Sequence, residues 1–205
     1  MIDCDRYLYM SSMAVYDSLH LNVNEEEFNT NGPLIWCDRK DGTYAEVKRQ
    51  AEYALWSLEH PKQTVAVRYP YVIGKDDYTN RLQFYVEHVV NDIPMYIDNM
   101  DCQMSFINSK EAGRFLAFLV ESGFTGAING CSYGTISIGQ ILDYVQKKTG
   151  KKAILSTDGD PAPYNVTKEY SLNLDKAKAI EYQFTNIADW IYDLLDYYIK
   201  HITHF

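Results

Sequence analysis

Three successive stretches of the chain decide the fold: YLYMSS (residues 7–12), TYAEVKRQAEYALWSLEH (residues 43–60) and TVAVRYPYVI (residues 64–73). The first and third are rich in β-branched and aromatic residues, which predicts two strands. The second repeats apolar residues at helical spacing, and Thr43 with Glu46 three residues later has the pattern of a capping box. A helix between two strands favours an α/β fold with a mostly parallel sheet.

The same alternation continues along the rest of the chain. Further helices are predicted over residues 80–91, 109–122 (with Ser109 as its candidate cap), 137–149, 174–180 and 185–202. Short extended segments are predicted over residues 94–97, 104–107, 127–129 and 153–155. Residues 17–43 are polar and contain three consecutive glutamates and an Asn-Gly-Pro turn, so we expect a surface loop there.

Composition restricts the class of protein. The 205 residues carry 19 Lys and Arg against 28 Asp and Glu, a net charge of −9, and 46% are apolar, which indicates a globular chain without the basic surface that nucleic acid requires. We find neither an apolar run near the ~20 residues of a membrane span nor an N-terminal signal, so we expect a cytoplasmic protein without membrane or nucleic-acid partners. The four cysteines are too few and too widely spaced for a disulfide scaffold or a zinc site, and we expect no metal.

Tyr44 and Lys48 are one helical turn apart, which places both side chains on one face of a helix. A nearby ammonium favours the ionised form of a phenol, so such a pair can move a proton on and off a substrate hydroxyl. Only this pair follows a strand ending in two serines, predicted to be exposed, at the edge where open α/β sheets place their sites. A solvated helical pair and serines that merely cap a turn are the alternatives. The same spacing recurs in Tyr71/Lys75, Tyr144/Lys148 and Tyr164/Lys168.

These residues resemble the motifs of the extended short-chain dehydrogenases/reductases, in the NAD-dependent epimerase/dehydratase group. Residues 11–16 (SSMAVY) are similar to the serine motif that ends a central strand in that family. Tyr44-x-x-x-Lys48 matches its catalytic pair, and Glu52 stands at a commonly acidic position. Later family segments are resembled, in the family's order, by residues 65–74 (VAVRYPYVIG), 105–108 (SFIN) and 126–129 (GAIN).

The resemblance implies an α/β fold that is the C-terminal part of a Rossmann-like parallel sheet with a small C-terminal α/β substrate domain. Residues 1–75, with residues 105–135 returning to them, would form the remaining half of the cofactor domain. Residues 76–104 and 136–205 would form the smaller substrate-binding domain.

The resemblance also implies roles for individual residues. Ser12 would hydrogen-bond the substrate oxygen, Tyr44 would be the acid/base, and Lys48 would favour the Tyr44 phenolate and hold the nicotinamide ribose of NAD or NADP. The implied activity is that of an epimerase, dehydratase or reductase acting on a hydroxyl or keto carbon of a small-molecule substrate. The residues that the resemblance places at the cofactor are Ser11, Tyr44, Lys48, Tyr69, Pro70 and Tyr71, the last three through their backbone.

The chain departs from the family in two respects. Before Ser11 it has no strand, Gly-x-x-Gly-x-x-Gly turn and helix, so we expect a chain truncated at the N-terminus that lacks the cofactor's phosphate-binding segment. The glycine-rich residues 123–134 follow a predicted helix rather than a strand and are no substitute. Tyr71 and Met104 stand where nucleotide-sugar members usually carry Asn and a pyrophosphate-binding Arg, which argues against a nucleoside-diphosphate sugar as substrate.

Two functions therefore remain open: an NAD(P)-dependent enzyme, and a noncatalytic remnant or binding protein of the same fold that has lost the cofactor. The retained set of Ser12, Tyr44 and Lys48 favours the enzyme, and the missing glycine-rich turn favours the remnant. A truncated sheet would expose a strand edge, which predicts a homo-oligomer or a complex with the missing N-terminal segment.

Overall fold

The computed structural model describes residues 4–30, 36–57 and 63–202. Helices and strands alternate along these residues, as the sequence predicts. The strands are β1 (Tyr7–Ser12), β2 (Thr64–Tyr69), β3 (Tyr71–Ile73), β4 (Met95–Tyr96), β5 (Phe106–Asn108), β6 (Gly126–Asn129) and β7 (Asp160–Pro161). The helices are α1 (Tyr44–Trp56), α2 (Arg81–Val90), α3 (Ser109–Glu121), α4 (Ile138–Thr149), α5 (Asp175–Ala179) and α6 (Ile191–Ile202).

The strands pair in parallel, which confirms the predicted fold class. The main sheet has the order β1-β2-β6, and β3-β5 and β4-β7 form two further parallel pairs. In the main sheet Ser11 lies opposite Arg68, and Arg68 lies opposite Asn129. Within the described residues β1 is therefore an edge strand, with β2 as its neighbour on one side.

The single strand predicted over residues 64–73 is two strands in the structure. β2 ends at Tyr69 and pairs with β1 and β6, whereas β3 begins at Tyr71 and pairs with β5. Pro70 separates them because proline has no N–H to donate to a sheet ladder. The chain thus changes sheet at Pro70.

Of the two helix caps predicted from the sequence, Thr43 is confirmed and Ser109 is wrong. Thr43 and Glu46 form the expected capping box of α1, and the helix ends at Trp56; residues 58–60 of the longer predicted helix lie outside the described residues. Asn108, rather than Ser109, caps α3 by accepting a hydrogen bond from the Lys110 amide at 3.0 Å. The last helix begins at Ile191 rather than at residue 185, after a separate 3₁₀ turn.

Residues 17–30 are more than the predicted surface loop. They contain a 3₁₀ turn, Glu25–Glu27, whose first glutamate is buried against β6, where it accepts a hydrogen bond from the Asn129 amide at 2.8 Å. Residues 31–35 of that predicted loop lie outside the described part of the chain. The polar composition of this segment predicts exposure, but a carboxylate that accepts a backbone hydrogen bond can be buried.

The helices α2, α4 and α6 pack on one another within residues 76–104 and 136–202. The proposed division into two domains stays a prediction. Among the described helices, none is long and apolar enough to cross a membrane.

Candidate active site

The carboxyl end of β1 turns the two predicted serines in opposite directions. Ser11 is only 5% exposed, and its hydroxyl donates to the Glu52 carboxylate under α1. Ser12 is partly exposed, and its oxygen accepts a hydrogen bond from the Ala14 amide at 3.2 Å. Successive side chains of a strand point to opposite faces, so the prediction that both serines are exposed is wrong for Ser11. Ser12 caps the following turn and keeps its own O–H free to donate, since a hydroxyl accepts and donates at once.

Helix α1 carries the predicted tyrosine and lysine beside this strand end. Tyr44, in the first turn, is 64% exposed. The Lys48 ammonium donates to the Met10 carbonyl at 2.7 Å and lies 5.7 Å from the centroid of the Tyr44 ring. Burial lowers the pKa of Lys48, and the negative charge of Glu52 raises it.

The structure therefore places Ser12, Tyr44 and Lys48 around one end of β1. Among the described residues they are not hydrogen-bonded to each other: Ser12 bonds Ala14, and Lys48 bonds Met10. Catalytic hydrogen bonds are often long in structures without ligand and tighten when substrate binds.

The predicted cofactor-facing stretch Tyr69–Tyr71 contributes its side chains to packing. The Tyr69 ring is buried against Phe115, and its hydroxyl donates to the Ala112 carbonyl at 2.8 Å. Pro70 is also buried. Tyr71 is half-buried, and its hydroxyl lies 3.3 Å from that of Thr167. A role at the cofactor is thus left to the backbone of these residues.

A buried polar network under the site was not predicted from the sequence. Arg68 and Glu52 form an ion pair with a 2.7 Å contact, and both side chains are almost fully buried. The Arg68 guanidinium also donates to the Glu25 carbonyl at 2.8 Å and to the Tyr16 hydroxyl at 3.3 Å. Burial raises the pKa of Tyr16 to about 12. Glu52 had been noted only by its position in the family motif, and Arg68 only as part of a strand; an arginine within an otherwise apolar strand was the available signal.

The three competing Tyr-x-x-x-Lys pairs occupy other environments. The Tyr144 hydroxyl and the Lys148 ammonium both donate to the Asp196 carboxylate, each at 2.8 Å. Tyr164 is fully buried, and burial raises its pKa well above the usual value. Lys75 lies over the ring of Tyr197 rather than beside Tyr71. Among these pairs, Tyr144/Lys148 is held by a carboxylate, which favours the neutral phenol.

The glycine-rich residues 123–134 follow α3 and contain β6, as expected, and their glycines serve turns and packing. Gly123, Gly126 and Gly134 have positive φ. A side chain at Gly130 would meet the Tyr69 ring, because an added Cβ would lie 2.7 Å from a ring carbon. Close packing rather than phosphate binding accounts for this glycine.

Aromatic rings surround Tyr71 of β3. Tyr71 packs against Tyr164, with ring centroids 4.7 Å apart, and against Phe106 at 6.1 Å. Met104 is fully buried, so this side chain does not reach a ligand. The guanidinium of Arg81 on α2, however, lies 5.4 Å from the centroid of the Tyr71 ring. A cation thus lies beside Tyr71, and the expectation against a nucleoside-diphosphate sugar stays a prediction.

Known structures share this fold. A putative epimerase from Burkholderia cenocepacia matches with a TM-score of 0.68 and 20% identity over 94% of this chain. The UDP-glucuronic acid 4-epimerase from Bacillus cereus in complex with NAD matches with a TM-score of 0.68 and 17% identity over 98% of this chain. The UDP-glucose 4-epimerase from Thermotoga maritima with UDP-glucose matches with a TM-score of 0.70 and 13% identity over 96% of this chain.

At these identities the likeness shows the fold, which is the Rossmann-like α/β fold of NAD-dependent epimerases, as the sequence resemblance implied. The chain spans 63%, 62% and 64% of the lengths of those three proteins, respectively. No protein-family model and no curated protein sequence matches it.

Lys48 is the residue beside β1 that would hold the ribose of a dinucleotide. The Met10 carbonyl takes one of the three N–H donors of Lys48, and two donors remain for the two hydroxyls of a ribose. In the glycine-rich stretch, the Tyr69 ring fills the space beside Gly130, so a pyrophosphate would not fit at that glycine.

Proposed function

We propose that this chain carries the catalytic residues of an NAD- or NADP-dependent enzyme of the epimerase, dehydratase or reductase type, acting on a hydroxyl or keto carbon of a small molecule. The observation that carries the proposal is the position of Lys48. Its ammonium donates to the Met10 carbonyl of β1 and lies 4.9 Å from the centroid of the Tyr9 ring and 5.7 Å from that of the Tyr44 ring. The fold shared with NAD-bound epimerases supports the same assignment.

Each residue has a distinct task in this proposal. Ser12 donates its O–H to the substrate oxygen and holds it in place. The Tyr44 phenol, exposed at the start of α1, gives a proton to that oxygen or takes one from it. Lys48 orients the ribose with its two remaining N–H donors, and its positive charge stabilises negative charge that develops on the phenol. The bound nicotinamide supplies the hydride acceptor or donor.

The open edge of β1 is part of the proposal. β1 pairs only with β2 among the described strands, and the sequence of β1 contains neither charge nor proline. Natural edge strands usually carry such features because they block pairing with another chain. A further chain or segment is thus expected to cover this edge, either in a homo-oligomer or in a complex.

The test is a titration of the protein with NADH, in which the fluorescence of NADH reports binding. We expect the wild-type protein to shift the NADH emission, and Lys48→Met to weaken binding by roughly 10- to 100-fold, because hydrogen bonds from a charged group contribute about 1.5–3 kcal/mol. Tyr44→Phe should retain binding and lose turnover of any substrate that the wild type converts.

The matched control is Lys148→Met, since Lys148 belongs to a pair with the same spacing but is bound to Asp196. This variant should bind NADH as the wild type does. Equal loss in both lysine variants would contradict the assignment of Lys48. If neither NADH nor NADPH binds to the wild type, the noncatalytic alternative replaces the enzyme.

A further inference from the structure

Glu52 occupies the centre of a buried arrangement beneath the proposed site. Its side chain is fully buried in α1. One carboxylate oxygen accepts from the Ser11 hydroxyl and from Arg68 Nε at 3.0 Å. The other accepts from Arg68 Nη2 at 2.7 Å. The carboxylate therefore binds two elements of the sheet, β1 and β2, from the helix that covers them.

Each partner of Glu52 adjoins a different part of the site. Ser11 precedes Ser12 in β1, and Arg68 precedes Tyr69 at the end of β2. Lys48 is one helical turn before Glu52, on the same face of α1. Two residues one turn apart on α1 therefore bond to consecutive residues of β1. Lys48 donates to the Met10 carbonyl, and Glu52 accepts from the Ser11 hydroxyl.

We propose that Glu52 is a positioning residue of this site: its contacts with Ser11 and Arg68 fix Ser12, Lys48 and the end of β2 in one arrangement. The inference rests on the proposed function and adds a residue to it. Glu52 touches neither substrate nor cofactor, because it is sealed beneath α1. Glu52 acts through Ser12 and Lys48, which the proposed function places at the substrate and the cofactor.

Arg68 extends the same arrangement to the loop over residues 17–30. Its guanidinium donates to the Glu25 carbonyl at 2.8 Å and to the Phe28 carbonyl at 3.3 Å. It also lies 5.1 Å from the centroids of the Tyr16 and Phe28 rings. The Arg68 guanidinium is therefore fixed in place by several partners. Because Glu52 pairs with this guanidinium through both carboxylate oxygens, the orientation of the Glu52 carboxylate is fixed as well.

Loss of the Glu52 charge acts on Lys48 whether the ion pair is structural or positioning, so Glu52→Asp, which keeps the charge, is the variant that separates the two roles. Burial lowers the pKa of Lys48 and the Glu52 charge raises it, so removing that charge should lower the Lys48 pKa further.

The experiment follows the pH titration of ¹³Cε-labelled lysines by NMR, with the Lys48 signal assigned from its loss in Lys48→Arg. In Glu52→Gln the Lys48 midpoint should move to lower pH, and the amide signals of Ser11 and Ser12 should shift. Glu46→Gln is the matched control, with the same change on the same helix at an exposed capping residue, and it should leave Lys48 in place. An unchanged Lys48 midpoint in folded Glu52→Gln overturns the proposal.

Glu52→Asp separates the positioning role from a purely structural one, and it also covers the case in which Glu52→Gln does not fold. It keeps the charge opposite Arg68 but shortens the side chain by one methylene, so it should lose the Ser11 contact and shift the Ser12 amide. An unmoved Ser12 amide overturns the proposal. NADH titration of the same variants tests the proposed function separately from the positioning role of Glu52. If the wild type binds no NADH, the proposed function fails. The Lys48 and Ser12 signals still decide whether Glu52 positions these two residues.

Discussion

Ser11 and Ser12 are chemically identical neighbours, and strand geometry alone separates their roles. The alternation of β1 sends Ser11 to the buried Glu52 and leaves Ser12 at the open end of the sheet. The same reasoning applies to the four Tyr-x-x-x-Lys pairs, which share a spacing. Only the environment of each pair distinguishes them: Lys48 is anchored to a backbone carbonyl, and Lys148 is paired with Asp196.

At the residue scale, Gly130 gives a direct stability prediction. Gly130→Ala places a Cβ 2.7 Å from the Tyr69 ring and 3.0 Å from the Phe115 ring, so two buried rings must move. Overpacking of this kind costs about 1–3 kcal/mol. We expect the free energy of unfolding, measured with urea, to fall by that amount.

Gly113→Ala is the matched change at a position in α3 where an added Cβ has nothing within 4 Å. Alanine is favoured over glycine in a helix interior by about 0.8–1 kcal/mol, so this variant should gain stability. Equal effects of the two substitutions would refute the packing explanation for Gly130.

At the scale of elements, α1 is attached to the sheet mainly by polar contacts. The helix is amphipathic, but Lys48 and Glu52 are the residues that bond to β1 and β2, and Arg49 donates to the Val15 carbonyl in the turn after β1 at 2.8 Å. Hydrogen bonds and charges are directional, so they fix where the helix lies on the sheet more narrowly than apolar contacts do. This precision suits a helix that carries Tyr44.

The buried pair within this attachment gives the prediction at the element scale. Arg68→Met leaves Glu52 as an uncompensated buried charge, and the loss of one partner of a buried pair costs about 3–5 kcal/mol. The double variant Glu52→Leu/Arg68→Met replaces both charges by apolar groups and should be much closer to the wild type. Urea unfolding of the two variants measures the difference. A double variant less stable than Arg68→Met alone would argue against the desolvation explanation.

At the scale of the whole molecule, the uncovered edge of β1 predicts association. Met10 is 48% exposed in a strand without charged residues. At micromolar concentration, light scattering should give a mass above the 23.7 kDa of one chain. Met10→Lys adds a charge at the edge and should shift the protein toward the monomer, because a lysine discourages strand pairing.

Leu155→Lys is the control for that measurement, since Leu155 is similarly exposed but lies in the segment bridged to Met95. It should leave the mass unchanged. A wild-type protein that is monomeric at these concentrations would count against homo-oligomerisation and leave the complex with a further segment.

The sequence by itself determined the features that depend on neighbours along the chain. The alternation of strands and helices, the capping box at Thr43 and the shared face of Tyr44 and Lys48 follow from periodicities and spacings within a few residues. The parallel sheet followed from this order of elements. These local signals were enough to predict the fold class and the Tyr44/Lys48 pair, whereas the catalytic roles of Ser12, Tyr44 and Lys48 were implied by the family resemblance.

Only the tertiary structure decided the contacts between distant residues. The burial of Ser11, the pairing of Glu52 with Arg68 and the contact of Glu25 with Asn129, 104 residues away, have no fixed spacing in the sequence. A polar side chain is buried when a partner in another element satisfies it, and that partner is brought near only by the packing of the whole chain. From the sequence alone, charged side chains such as Glu52 and Arg68 are expected to be exposed. The packing of α1 on the sheet instead buries them as an ion pair.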